Sequence, residues 1–224
     1  MNEKTSALTK AKTLFISIYL LFLLMRFLPA SWFPKGHITS VFFYIVLAAV
    51  GIYALRKDFA DWFRWVRKHI GKSVLYLILC YVVFMAGDFC ASLASEGLFR
   101  LFHLNSSSLI NDINIQSTLS VLPAPVILLV LGILGPMVEE LIFRKCLFCW
   151  LQKHVPAGIA ILLSAVCFAA VHMNAISAIE CLNVLPHFVS GLVLGYFYYK
   201  TDNLMFPIAV HAFNNASTLA LALL

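Results

Sequence analysis

The chain has 224 residues, of which 62% are hydrophobic and only 12% are charged, and its mean hydropathy is +0.93. Soluble domains are about 25% charged, so this composition excludes a soluble globular protein and predicts an integral membrane protein. The net charge of +6 does not indicate a nucleic-acid partner, because the basic residues cluster in short segments between apolar ones. The expected environment is membrane lipid.

Seven apolar segments are candidates for membrane-spanning helices, at about 12–32, 37–55, 72–95, 120–143, 158–176, 181–199 and 204–223. They predict an all-α polytopic transmembrane bundle of about seven spans, within a range of six to eight. The fourth helix is expected to continue to about residue 152 and the fifth to start at Pro156. The polar run LNSSSLINDINIQST at 104–118 predicts the one long loop. We treat 1–119 as N-terminal spans and 120–224 as a core, within one integrated membrane domain.

Residues 56–70, RKDFADWFRWVRKHI, follow a different pattern from the spans. Phe59, Trp62, Phe63, Val66 and Ile70 recur at helical spacing, and charged residues take the other side. This pattern predicts a basic amphipathic helix that lies in the cytoplasmic membrane interface. A calmodulin-type target helix is the alternative.

Basic residues are distributed unevenly between the two sides that the spans define. With the N-terminus inside, the outer side keeps only Lys35 and Arg100, with Arg26 near the outer end of the first span. An excess of Lys and Arg marks the cytoplasmic side, so we expect a cytoplasmic N-terminus and, after seven spans, an external C-terminus. The basic residues assigned to the cytoplasmic side are Lys4, Lys10, Lys12, Arg56, Lys57, Arg64, Arg67, Lys68, Lys72, Arg144, Lys145, Lys153 and Lys200.

Polar side chains inside the late spans are the candidate functional groups, because ionisable residues at membrane depth are costly unless they are paired or face a cavity. Three pairs have i,i+4 spacing, which places both members on one face of a helix. We expect the three polar stripes to face a shared cavity that is open toward the cytosol. The pairs are Glu140 and Arg144, with Glu139 beside them, then Phe168 and His172, then His211 and Asn215. Asp88 and His187 lie in other spans and are expected to have structural roles.

These residue types favour hydrolysis by an activated water. A carboxylate in an apolar pocket can act as general base, and an imidazole or amide can stabilise the oxyanion. Glu140 is the candidate partner of Arg144, which leaves Glu139 as the base. A zinc ion held by Glu139, His172 and His211 is an open alternative, although the H-E-x-x-H signature is absent. The structural alternative is that the acid–arginine pair and the imidazoles only join helices.

The three motifs together resemble the signature of the CPBP family of intramembrane proteases, which process CAAX proteins and bacteriocins and are also called Abi proteins. They read EELIFR at 139–144, FAAVH at 168–172 and HAFNN at 211–215, and the F-x-x-G-x-x-x-G segment before the last motif contains Gly191 and Gly195. The resemblance covers about 120–220. The two glycines are interpreted as sites of close helix packing.

The resemblance implies specific roles for these residues. Glu139 would activate the water, Glu140 and Arg144 would support it, and His172 would lie opposite. His211 and Asn215 would position the water or form the oxyanion site. A glutamate-type mechanism without a bound cofactor is favoured, with zinc as the alternative.

The expected function is therefore endopeptidase cleavage of hydrophobic or membrane-associated peptides, with prenylated CAAX tails as one option. A non-proteolytic immunity or peptide-binding protein is the first alternative, and a proton-coupled transporter is the second. The expected location is the cell membrane of a bacterium or archaeon, or an endoplasmic-reticulum-type membrane in a eukaryote.

Overall fold

Helices make up nearly all of the chain that the computed structural model describes, which comprises residues 3–25, 28, 32, 36–104 and 110–224. No β-strand occurs in these ranges. The helices are α1 Glu3–Met25, α2 Gly36–Ala54, α3 Arg56–Lys68, α4 Ile70–Leu101, α5 Ile110–Leu119, α6 Ala124–Leu151, α7 Ala157–Ala170, α8 Ala178–Asn183, α9 Leu185–Thr201 and α10 Met205–Ala222.

The predicted all-α polytopic fold is confirmed. Four stretches of the described residues are long and apolar enough to cross a membrane: α2, α4, α6, and α8 together with α9. Helix α7 is apolar but shorter. The protein is therefore an integral membrane protein. The orientation stays a prediction, and Arg26, Lys35 and the side chain of Lys4 lie outside the described residues.

Two sequence-based boundaries were wrong. The stretch predicted as a loop at 104–118 contains helix α5 from Ile110 to Leu119. The polar composition of this stretch suggested a loop, but it contains no Gly or Pro, so nothing prevents helix formation. The fifth helix ends at Ala170 and not near 176, so His172 lies in the turn that follows α7.

Helix α6 is continuous but irregular, and it carries the acidic doublet. Two π-helical stretches, Val130–Leu134 and Leu141–Phe148, flank the α-helical segment Gly135–Glu140. Such stretches alter the backbone hydrogen-bond pattern and occur often at functional sites. Ser164 on α7 donates a hydrogen bond from Oγ to the carbonyl oxygen of Phe143, at 2.8 Å, inside the second stretch.

Helix α9 packs closely against α7 through its glycines. A Cβ atom on Gly191 would lie 3.0 Å from the Cα of Ala165, and one on Gly195 would lie 3.4 Å from Ile161 Cγ2. The absence of a side chain at Gly191 therefore lets the two helix backbones approach each other. This contact is the tight packing that the G-x-x-x-G spacing predicted.

The predicted amphipathic helix at 56–70 is present as α3, and it is attached to the core at several points. Trp62 is buried, and its Nε1 donates to the carbonyl oxygen of Asp202 at 3.1 Å. Asn203 Nδ2 donates to the carbonyl oxygen of Trp62 at 3.1 Å. Asp58 forms an ion pair of 2.7 Å with Lys145 near the end of α6. These contacts fix which side of α3 faces the bundle.

Candidate active site

The second glutamate of the doublet is buried in a charge pair with Arg144. Glu140 Oε2 lies 3.1 Å from Arg144 Nε, one turn away on α6, and both side chains are almost fully buried. Arg144 Nη2 donates to the carbonyl oxygen of Gly191 on α9 at 3.3 Å. A buried carboxylate and a buried guanidinium each need such a partner, because desolvation of an unpaired charge is costly.

His211 on α10 connects the two glutamates. Its Nδ1 lies 2.9 Å from Glu140 Oε1, and since a carboxylate oxygen accepts, Nδ1 is the donor. Its Nε2 lies 3.7 Å from Oε2 of Glu139. The charge of Glu140 is thus neutralised by Arg144, and its carboxylate is oriented by the hydrogen bond from His211.

Glu139 has a different environment from its neighbour. Its Oε2 is buried and has no hydrogen-bond partner among the described residues. The closest imidazole nitrogens are His211 Nε2 at 3.7 Å and His172 Nε2 at 4.0 Å, both too far for a direct hydrogen bond. The side chain keeps 14% of its surface exposed. Both imidazole nitrogens therefore face the same Glu139 oxygen without a direct hydrogen bond to it.

Phe168 supplies an aromatic platform beneath these charges. The guanidinium of Arg144 lies over its ring at 4.4 Å, and the rings of His172 and His211 lie 4.9 and 5.7 Å from it. A cation over an aromatic face is stabilised by the ring quadrupole. The role of Phe168 in F-x-x-x-H is therefore to pack against the charged groups.

His172 is held at the end of α7 by its own hydrogen bond. Its Nδ1 lies 2.8 Å from the carbonyl oxygen of Phe168, which can only accept, so Nδ1 carries the hydrogen. This side-chain contact caps the helix end, where the last carbonyls lack intrahelical partners. It also turns Nε2 toward Glu139.

The structure brings together Glu139, Glu140, Arg144, His172 and His211, and it places the other predicted residues around them. Gly191 contributes its carbonyl to Arg144, whereas Gly195 packs against α7 one turn further on. Asn215 lies one turn after His211 on α10, is partly buried, and makes no hydrogen bond with the side chains of the site.

His187, for which the sequence predicted a structural role, lies beside the site. Its ring lies 4.2 Å from that of His172, centroid to centroid. The only sequence signal was an imidazole one turn before Gly191 in an apolar span.

The alternative zinc site, with Glu139, His172 and His211 as ligands, requires a specific arrangement of the side chains. Zinc requires its ligand atoms at about 2.0–2.2 Å from one point. Across the ranges 3–25, 36–104 and 110–224, no group of three or more His, Cys, Asp and Glu side chains is arranged to hold a metal ion. Glu139, His172 and His211 therefore do not fit a zinc ion as they are placed.

Fold and site define an all-helical membrane protein with a buried cluster of acids and imidazoles. Glu140 is paired with Arg144, whereas Glu139 Oε2 makes no hydrogen bond to the described residues. Comparison with known proteins shows what the chain is similar to. Residues 120–217 match the family described as type II CAAX prenyl endopeptidase Rce1-like. This part of the chain carries all three motifs, and the match agrees with the resemblance predicted from them.

One curated relative extends the similarity beyond that region. The chain is 29% identical over 147 residues to "Putative membrane peptidase YdiL" of Bacillus subtilis (strain 168). The match covers 65% of this chain and 55% of the relative, so the chain spans about half the length of the protein it matches. No solved structure matches.

Proposed function

We propose that the chain is an intramembrane endopeptidase in which Glu139 activates the water that attacks a peptide carbonyl. The observation that carries this proposal is the contrast between the two adjacent glutamates. Glu140 is paired with Arg144 and His211, whereas Glu139 Oε2 has no hydrogen-bond partner among the described residues and faces two imidazole nitrogens. A carboxylate oxygen that no protein group hydrogen-bonds is available to take a proton from water.

The proposed reaction uses the chain's own residues. A water held by hydrogen bonds to the Glu139 carboxylate and to His172 Nε2 gives one proton to Glu139 while its oxygen bonds to the carbonyl carbon. Asn215, one turn after His211, donates from its side-chain amide to the oxygen that becomes negative. Glu139 then returns the proton to the amide nitrogen, the C–N bond breaks, and a carboxylic acid and an amine leave; transfer of the acid's proton to the amine gives a carboxylate and an ammonium ion.

An apolar cleft beside the site supports a hydrophobic substrate. The cleft has a volume of about 390 Å³, lies between α1, α6 and α7, and is lined without any charged residue. Tyr19, Leu20 and Leu147 are on its walls. Phe143, also in its lining, contacts the Phe168 ring at 5.4 Å, so the cleft adjoins the aromatic platform of the site. A membrane-embedded peptide or a lipidated tail, prenylated tails included, is the substrate class that such a cleft suits.

The cleft gives a test of substrate class with a matched control on the same helix. Leu20 lines the cleft and Leu14 does not, yet both are 52% exposed on α1. We expect Leu20→Trp to slow cleavage of a reporter peptide with an apolar tail and to leave a tail-less peptide unaffected. Leu14→Trp should change neither rate. Equal effects of the two variants would remove the cleft from the proposal.

The activity itself is tested with purified protein and a hydrophobic reporter peptide. We expect Glu139→Ala to abolish cleavage and His172→Ala and Asn215→Ala to reduce it, while Glu96→Gln, an exposed member of the Glu96–Arg100 pair on α4, cleaves as wild type does. Full cleavage by Glu139→Ala would refute the proposed base.

A chelator distinguishes the two catalytic types. The glutamate mechanism predicts no loss of activity with a chelator, and loss that only zinc reverses would assign the reaction to a metal. A Glu139→Gln variant that binds the peptide and retains biological activity would instead favour the immunity or peptide-binding alternative, and proton-coupled uptake into liposomes without cleavage would favour the transporter.

A further inference from the structure

His187 lies on the face of α9 that is turned toward the site. It is one turn before Gly191 and two turns before Gly195, and residues at this spacing share one face of a helix. Both glycines contact α7, and the Gly191 carbonyl accepts from Arg144. The same face therefore brings His187 to the end of α7, where His172 begins the following turn.

The ring of His172 is enclosed by two aromatic neighbours. The His187 ring lies 4.2 Å away with the planes 36° apart, and the Phe168 ring lies 4.9 Å away at 59°. The hydrogen bond from Nδ1 to the Phe168 carbonyl fixes one edge of the imidazole. Contact from the His187 ring restricts how the imidazole can rotate about that bond.

The other feature of His187 is a nitrogen without a hydrogen-bond partner. Its Nδ1 is buried and makes no hydrogen bond to any residue that the structure describes. A buried polar atom without a partner costs stability, so the contribution of His187 in the free protein comes from its ring.

We propose that His187 is a positioning residue that clamps the His172 ring with Nε2 directed at Glu139. The inference rests on the proposed function, because His172 Nε2 is the nitrogen that shares the water with the Glu139 carboxylate, 4.0 Å away. His187 itself touches neither the water nor the substrate. It acts on the rate through the orientation of His172.

Three substitutions at position 187 distinguish the contribution of the ring contact from that of the Nδ1 atom. His187→Phe keeps the ring contact and removes the unpartnered nitrogen, so it should unfold at the same or a higher temperature and retain wild-type turnover. His187→Ala removes the ring. His187→Asn keeps a polar atom near the Nδ1 position but has no ring, and it should behave as alanine does.

The expected loss in the alanine and asparagine variants is in kcat, by about tenfold to a hundredfold, since a small misplacement of a catalytic group costs about that much. KM should stay unchanged. Wild-type kcat in His187→Ala, or higher activity in His187→Asn than in His187→Phe, would overturn the clamp, and the second result would assign Nδ1 to a ligand.

The orientation of His172 can also be measured by NMR, independently of whether the wild type cleaves a peptide. In ¹⁵N-histidine spectra, the His172 signal, assigned by its absence in His172→Ala, should report an Nδ1–H tautomer in wild type and in His187→Phe. In His187→Ala the tautomer should stay, because the bond to the Phe168 carbonyl does not involve His187, but the His172 Nε2 signal should shift and broaden as the ring takes several orientations. An unchanged His172 signal in His187→Ala refutes the clamp, whereas absent cleavage with a changed signal refutes only the protease.

Discussion

Replacement of Arg144 by Met tests whether the buried ion pair holds the site together. Arg144 has 1% of its side-chain surface exposed and Glu140 has none, so the variant leaves a buried carboxylate whose remaining partner is His211. It also removes the hydrogen bond to Gly191 and the contact with the Phe168 ring. Removal of one partner of a buried pair costs about 3–5 kcal/mol. For a chain of this size, such a loss lowers Tm by roughly 6–20 °C.

The assay is thermal unfolding of purified protein in detergent at one fixed scan rate, because membrane proteins can unfold irreversibly. The matched control is Arg100→Met on α4, since Arg100 pairs with Glu96 at the same i,i+4 spacing but is 77% exposed. Exposed pairs contribute about 0–1 kcal/mol, so its Tm should hardly move. The double variant Glu140→Gln, Arg144→Met should recover most of the loss. Equal Tm values for Arg144→Met and Arg100→Met would show that the buried Glu140–Arg144 pair does not stabilise the site.

Two further substitutions test the packing around the site. Gly191→Ala should destabilise the protein by about 1–3 kcal/mol, because the new Cβ would meet the backbone of Ala165 at 3.0 Å. The control Gly97→Ala has nothing within 4 Å of its new Cβ and should be neutral or slightly stabilising. Equal Tm values for the two variants would contradict the close approach of α7 and α9. Trp62→Phe should cost about 0.5–1.5 kcal/mol through loss of the hydrogen bond to the Asp202 carbonyl, and a Tm equal to that of the wild type would show that this bond does not anchor α3.

The sequence predicted the helices where hydropathy alone decides them. Helices α2 and α10 agree with the predicted segments 37–55 and 204–223 to within a residue or so, and α3 follows the amphipathic spacing of 56–70. Apolar length and 3.6-residue periodicity are local properties, so they can be read without tertiary information. Helix α5 was missed because its polar composition masked a backbone with no helix breaker.

The site was predictable in its members but not in its contacts. The i,i+4 spacings placed Glu140 with Arg144 on one face of α6, and the structure shows that pair. The two glutamates differ because His211 hydrogen-bonds Glu140 and not Glu139. Which carboxylate His211 contacts depends on the packing of α10 against α6. The stacking of His187 on His172 depends likewise on how α9 packs on α7, which periodicity does not encode.

The contrast between the two glutamates is tested by single-turnover cleavage with Glu139→Gln and Glu140→Gln, each corrected for the folded fraction. We expect the two adjacent substitutions to have different effects. Glu139→Gln should lose a general base, so its rate falls by roughly 100- to 10,000-fold while its Tm stays unchanged. Glu140→Gln should lose stability, because Arg144 then stays buried without its counter-charge. A Glu139→Gln rate within tenfold of the wild type would contradict the central claim.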